Sequence, residues 1–172
     1  MPTLKVGNTE VEDVRVGSTE VQSVYVGSTE VWSRGTVYSG VTSYNQQSGN
    51  WYEGTYTNTY SSLSLTPTAF VVADSSGNIP NITTLQYHEY ELNPSNSYLE
   101  YEHLNFVVNG LVPNSGWDSI HTVRSGQSFG SHFYRSDALY SQANGKTYWQ
   151  WDITSNPFGT SSNQTYIVTI KN

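Results

Sequence analysis

A ten-residue repeat at the start of the chain constrains its fold more than any other feature. Residues 4–13 read LKVGNTEVED, residues 14–23 VRVGSTEVQS and residues 24–33 VYVGSTEVWS. Glycine, threonine, glutamate and valine therefore recur at the same positions in three units. Self-similarity at a fixed period indicates one small structural unit that is used repeatedly.

The repeat unit predicts a β-hairpin. In the first unit, VGNT at residues 6–9 places glycine at the first central position of a two-residue turn, as type II′ requires. Gly17 and Gly27 take the equivalent position in the other two units. Opposite charges then face each other on one side of two hairpins, which stabilises the pairing. The predicted pairs are Lys5 with Glu10, Arg15 with Glu20 and Tyr25 with Glu30.

The other side of the hairpins carries an aliphatic stripe. Such short strands are not stable alone, so another surface has to cover the stripe. We expect an assembly surface that is covered by other subunits, in a homo-oligomer for which a trimer is favoured. The alternative is that the stripe packs on the C-terminal part of its own chain. The stripe consists of Leu4, Val11, Val14, Val21, Val24 and Val31.

The tandem V-x-V-G-S-T-E-V units, which end in VWSRG at residues 31–35, resemble repeats found in structural proteins of tailed bacteriophages. The resemblance covers roughly the first fifth of the chain. It implies a virion component that contacts other capsid or tail proteins, without indicating which component it is.

Composition excludes several classes of function. The net charge is −7 and the 7 Lys and Arg residues form no cluster, so no electrostatic footprint for nucleic acid or an anionic membrane exists. Cysteine is absent, which excludes disulfides and thiolate metal sites. The start MPTLK lacks the apolar run of a signal peptide, and no segment approaches a membrane span. We expect a protein made in the host cytoplasm and carried in the virion.

After residue 35 the sequence predicts strands separated by clusters of Gly, Pro, Asn and Asp. The fold class is therefore all-β: short hairpin repeats over residues 1–35, followed by an antiparallel β-sandwich or jelly roll over 36–172. A turn is predicted at 46–50. The only helical hint, of at most about two turns, is at 136–145, ending at Asn144-Gly145. The predicted strands are 36–44, 51–57, 60–65, 68–73, 83–92, 98–108, 117–124, 128–134, 147–153 and 164–170.

Residues 88–92 (HEYEL) and 99–103 (LEYEH) mirror each other and predict a second kind of hairpin. Like charges directly opposite one another are destabilising. Either this register is wrong, or a cation or basic neighbour relieves the four carboxylates. The alternatives to a solvated face are a calcium site with oxygen ligands and the carboxyl pair of a glycosidase. The paired histidines are a further metal candidate against ordinary packing. The predicted pairs are His88 with His103, Glu89 with Glu102 and Glu91 with Glu100.

Residues 126–130 (GQSFG) match the hydrolase pattern G-x-S-x-G. That pattern supports catalysis only at a strand-to-helix elbow, and both flanking segments here are β-like. We therefore predict a looped glycine pair around Ser128, no enzyme activity and no cofactor other than the calcium alternative.

Aromatic residues have to supply much of the core, because aliphatic residues are few beside 14 Tyr, 5 Trp and 5 Phe. Trp149 and Trp151 share one strand face and are predicted to be buried. Trp51 and Trp117 stand beside turns, where an exposed ring is able to stack on a sugar.

Two functions from different classes follow. The first is a non-enzymatic structural component of a tailed-phage virion, displayed as a head decoration, a short fibre or a tail appendage. The second is a carbohydrate-binding module that recognises a host surface glycan through Trp51, Trp117 or neighbouring rings. Deletion of residues 1–33 abolishes assembly under the first, whereas Trp51→Ala or Trp117→Ala abolishes glycan binding under the second.

Overall fold

A computed structural model of the chain describes residues 5–6, 9–11, 14–16, 19–21, 23–27, 29–33, 35–51, 54–65, 70–93 and 99–171. Within these ranges every regular element is a β-strand, apart from the 3-10 turn Arg135–Asp137. Six strands belong to the repeats: β1 (Lys5–Val6), β2 (Thr9–Glu10), β3 (Arg15–Val16), β4 (Thr19–Glu20), β5 (Ser23–Val26) and β6 (Thr29–Ser33).

Nine further strands follow the repeats. They are β7 (Thr36–Trp51), β8 (Gly54–Leu65), β9 (Ile82–Asn93), β10 (Leu99–Asn109), β11 (Ser119–Arg124), β12 (Ser131–Tyr134), β13 (Leu139–Ala143), β14 (Lys146–Asp152) and β15 (Thr165–Lys171).

The repeats form three separate two-stranded hairpins, β1–β2, β3–β4 and β5–β6. Their registers confirm the predicted pairs of Lys5 with Glu10, Arg15 with Glu20 and Tyr25 with Glu30. Gly27 has a φ of +65°, which a glycine at this turn position adopts without strain. The third hairpin is longer, and a bulge after Val24 places Trp32 opposite that valine.

The other nine strands form one antiparallel sheet in the order β12-β11-β15-β7-β8-β9-β10-β14-β13. The two edge strands, β12 and β13, are consecutive in the chain and are joined by residues 135–138 alone. Because so short a connection links the edges, the sheet has to curl until they come close. The predicted all-β, sandwich-like fold is confirmed, with the packed faces belonging to one continuous sheet. The division into domains at residue 35 stays a prediction.

The concave face of the curled sheet holds the core. Aromatic rings occupy its centre, where Phe106 packs edge-to-face on Trp117 at 5.7 Å between centroids and stacks on Trp149 at 5.5 Å. Trp149 and Trp151 are both buried, as predicted. The remaining large core residues are Tyr38, Leu63, Leu65, Phe70, Ile82, Leu85, Tyr87, Leu104, Val108, Val112, Ile120, Phe133, Phe158, Tyr166, Val168 and Ile170.

Four local predictions are wrong. The strands predicted at 51–57 and 60–65 are not separate, because β8 runs without a break from Gly54 to Leu65 and Trp51 ends β7. The segment 46–50 has turn-like composition but lies inside β7, because its backbone pairs with β8 without interruption. Residues 70–73 of the strand predicted at 68–73 are irregular, while 66–69 lie outside the described residues. The segment 136–145 is the end of the 3-10 turn followed by β13. Its Asn144-Gly145 pair, with φ of 52° and 72°, forms a hairpin turn to β14 and does not end a helix.

Replacing Phe106 by alanine tests the ring-filled core. Phe106 is 0% exposed and Phe129 is 76% exposed. We expect Phe106→Ala to lower the free energy of unfolding by about 3–5 kcal/mol, because it leaves a cavity among packed rings. The matched control Phe129→Ala is expected to change it by less than about 0.5 kcal/mol. Urea unfolding measures both values, and equal effects of the two changes would contradict this core.

Candidate functional site

The aliphatic stripe, on the valine-bearing face of the repeats, is only partly covered. Val11, Val14, Val21 and Val24 are half-buried, and the Val21 N–H donates to the Val14 carbonyl at 2.9 Å. Leu4 lies outside the described residues, as does the side chain of Val31. Among the described core residues, none precedes Tyr38. The described core therefore includes no part of the repeats.

Two further valines belong to this face and were missed by the sequence reasoning. Val16 and Val26 each stand two residues after a stripe valine, so strand alternation places them on the same side. They are 73% and 69% exposed. The alternation of Val14, Arg15 and Val16 in the sequence already indicates that Val16 shares a face with Val14. Val16 was missed because it stands next to the turn.

Trp117 is not a surface residue. It is 1% exposed and packs edge-to-face on Trp149, with 5.2 Å between ring centroids. The prediction of a glycan-stacking ring at this position is wrong. Although Trp117 follows a turn, its ring is buried in the core, where aromatic rings fill space that the few aliphatic residues leave. Trp51 pairs through its backbone with Gly54 at the end of β7, and its side chain lies outside the described residues.

The glutamate hairpin has the predicted register. Strands β9 and β10 pair His88 with His103, Glu89 with Glu102 and Glu91 with Glu100. The glutamates continue the concave face of the sheet beyond the core, and the histidines lie on the outer face. The sequence allowed two explanations for the facing glutamates: a different register, or a neighbour that relieves their charge. The observed register excludes the first explanation.

A tyrosine hydroxyl lies between two of the carboxylates. The Tyr87 hydroxyl is 2.6 Å from Glu89 Oε2 and 3.3 Å from Glu102 Oε2. Burial raises the pKa of the Glu102 carboxyl, and the neighbouring Glu89 and Glu100 raise it further, against the lowering effect of the Tyr87 hydrogen bond. The Tyr87 hydroxyl, which lies within hydrogen-bond distance of both carboxylates, therefore reduces the repulsion between them.

The described residues form no group of ligands for the alternative of a calcium site. Within the described residues, which include Glu89, Glu91, Glu100 and Glu102, no three His, Asp or Glu side chains are grouped to hold a metal ion. The four glutamates are thus better described as an acidic face than as a metal centre.

The outer face of the same hairpin carries a ring cluster, which consists of Tyr60, His88, Tyr90, Tyr101 and His103. Tyr101 stacks on Tyr90 with 5.3 Å between centroids, and on His103 at the same distance. The rings of the paired histidines meet edge-to-face at 5.6 Å, and His88 Nε2 lies 2.7 Å from Asn58 Oδ1. Burial, together with His103, lowers the pKa of His88. The histidine pair is packed and does not converge on a metal.

The G-x-S-x-G segment is a loop between two antiparallel strands, β11 and β12. Gly126 has a φ of +85°, and a Cβ on Gly130 would overlap the Thr122 carbonyl oxygen. The backbone conformation and the tight packing therefore explain why glycine occupies both positions. Ser128 is exposed on the loop, and no helix follows it. The elbow that the hydrolase pattern requires is not formed.

A cleft of about 420 Å³ lies where the two edges of the sheet approach each other. We call it the seam cleft; it is lined by His132, Phe133, Tyr134, Asp137, Leu139, Gln150, Trp151, Asp152 and Ile153. Trp151 Nε1 donates to the Tyr134 carbonyl at 2.8 Å and so ties β14 to β12. No sequence pattern indicates this cleft, because strands distant in sheet order form its two walls.

Comparison with known proteins adds no relationship: no protein-family model, curated protein or solved structure matches this chain. In the described part of the chain, no helix is long and apolar enough to cross a membrane.

The substitution Glu102→Gln tests the acidic face through the pH dependence of stability. Because the folded-state pKa of Glu102 is raised above its ordinary value of 4.5, the protonated form favours folding. That contribution is complete below pH 4.5 and is lost as the pH rises through the folded-state pKa. We therefore expect Glu102→Gln to gain stability relative to the wild type as the pH rises from 4 to 8.

Urea unfolding of both proteins across this pH range measures the difference. Asp137→Asn is the control, because it removes the same charge from an exposed position outside the acidic face. Parallel stability curves for the wild type and Glu102→Gln would contradict the raised pKa.

Proposed function

We propose that this chain is a non-enzymatic structural component of a tailed-phage virion. In this proposal the N-terminal hairpins assemble with other subunits, and the curled sheet is displayed on the particle as a head decoration, short fibre or tail appendage. The repeat motif V-x-V-G-S-T-E-V supports the virion assignment through its resemblance to phage structural proteins.

One observation carries the assembly role: the exposed aliphatic face at the turn ends of the hairpins, formed by Val16 and Val26. The described repeat strands pair only within their own hairpins, and isolated two-stranded hairpins are marginally stable in water at best. Covering this face with another subunit removes apolar surface from water, which contributes roughly 25 cal/mol for each Å².

The charges of the repeats favour one orientation of the assembled hairpins. Strand alternation places the positions of Lys5 and Glu10, like those of Arg15 and Glu20, on the side opposite the valine positions. Hairpins gathered around a symmetry axis with the valines inward therefore leave these charged positions on the solvent side. A homotrimer is the favoured arrangement, docked onto other capsid or tail proteins. The acidic net charge of −7 limits nonspecific association between closely spaced copies.

A host surface glycan remains the second candidate partner, although Trp117 no longer supports it. The observation that favours this candidate is the seam cleft, which combines an exposed ring with polar side chains.

Removal of residues 1–33 tests the assembly role. We expect the full chain to sediment as a trimer and the truncated chain as a folded monomer, because the described core begins at Tyr38. Sedimentation equilibrium gives the mass, and circular dichroism shows whether the sheet persists.

A point variant separates surface from deletion effects. Val16→Asp with Val26→Asp should dissociate the full-length trimer, whereas the control Val41→Asp, at a valine 47% exposed on β7, should leave it intact. A wild-type protein that is monomeric at all concentrations would overturn the proposal.

A further inference from the structure

The seam cleft has the features of a small-ligand site. Its volume of about 420 Å³ lies within the range of roughly 300–1,000 Å³ that is typical of such sites. Phe133 and Trp151 are buried beneath it, while Tyr134 on its rim is 51% exposed. An apolar floor with a wet rim offers a ligand both contact area and hydrogen bonds.

The walls of the cleft are held in place without a ligand. The bond from Trp151 Nε1 to the Tyr134 carbonyl crosses the seam at 2.8 Å. The connection between the edges is anchored by Arg135, whose guanidinium donates to the carbonyls of Trp117 and Asn114. A site that is already ordered loses less entropy when a ligand binds.

The charge of the lining disfavours anionic ligands. Two carboxylates, Asp137 and Asp152, line the cleft, and the described lining includes His132 but no Lys or Arg. A phosphate or sulfate group would meet repulsion from both carboxylates. The described lining also contains no group of three metal-ligand residues.

We propose that the seam cleft binds a neutral saccharide. The ring of Tyr134 is placed to pack on the C–H face of a pyranose, as amphipathic aromatic side chains do at wet interfaces. Asp137 and Asp152 accept charge-assisted hydrogen bonds from hydroxyl groups. This proposal rests on the second candidate function, glycan binding at the seam cleft, and names its ligand class; it does not depend on the assembly role.

Gln150 adds a hydrogen-bond donor that a sugar hydroxyl uses and an ammonium group does not. An ammonium group has donors only, whereas sugar hydroxyls both donate and accept. Gln150, half-buried on β14, supplies an amide donor beside the two carboxylate acceptors. The cleft therefore offers a hydroxyl group both a hydrogen-bond donor and hydrogen-bond acceptors.

The ring cluster on the outer face is a poorer sugar platform. Its rings stack on one another, since Tyr101 lies between Tyr90 and His103 with interplanar angles of 22° and 10°. Stacked rings cover one another's faces. Tyr101 has a ring at 5.3 Å on each side, whereas Tyr134 has one described stacking neighbour, His132, at the longer distance of 6.5 Å between centroids. Tyr101, which is 40% exposed, is therefore a matched control for Tyr134.

The test uses the full-length protein labelled with ¹⁵N and titrated with methyl glycosides of glucose, galactose, mannose, rhamnose and N-acetylglucosamine. Glucosamine and lysine amide serve as amine probes. The indole N–H signal of Trp151 reports on the cleft, because that group bonds across the seam. We expect at least one neutral glycoside to shift this signal in a saturable way at millimolar concentration.

Variants then locate the binding. Tyr134→Ala and the isosteric Asp152→Asn should each weaken the affinity at least about tenfold, while Tyr101→Ala leaves it unchanged. Asp152→Asn retains the side-chain shape, so it tests the site even where Tyr134→Ala alters the fold. The proposal is overturned if no neutral glycoside shifts the Trp151 signal, if only the amine probes do, or if Tyr101→Ala weakens binding as much as Tyr134→Ala.

Discussion

A single antiparallel sheet with no helix to cover it has to hide its apolar face against itself. The described part of this protein meets that constraint with nine strands that curl until β12 and β13 are joined by four residues. Aliphatic side chains are too few to fill the enclosed space, so rings do so. Phe106, Trp117 and Trp149 meet at 5.2–5.7 Å between centroids. Ten of the 24 aromatic residues therefore serve packing in the described core.

The same constraint creates the seam cleft. Edge strands that approach without forming a ladder leave a gap, and the side chains of both edges line it. The interior rings Trp151 and Phe133 become its floor, while Tyr134 and Asp152 on the outer face become its rim. The repeats stand apart from this arrangement, because their valines contribute nothing to the described core. Assembly and ligand binding thus involve different surfaces of the chain.

Features set by local pairing could be predicted from the sequence. The hairpin registers follow from two-residue turns, and mirror symmetry about the loop fixed the opposition of Glu89 and Glu102. Features set by distant contacts could not. The inward turn of Trp117 depends on space left by Phe106 and Trp149, and the segment 46–50 remains a strand because β8 pairs with it. The seam cleft also depends on distant contacts, since the strands that form its two walls stand at opposite ends of the sheet order.

The position of β15 has a consequence for synthesis. This strand, residues 165–171, pairs with β7 on one side and β11 on the other, so Thr165 meets Val41 across most of the chain length. While the ribosome is still producing the preceding residues, β7 has one partner, β8, and a long row of unpaired backbone groups. Such an edge is a template for pairing with a neighbouring chain. Closing it requires a contact of high sequence separation, which is slow to form. Nascent copies made close together are therefore exposed to exchange of this strand until each has completed its own sheet.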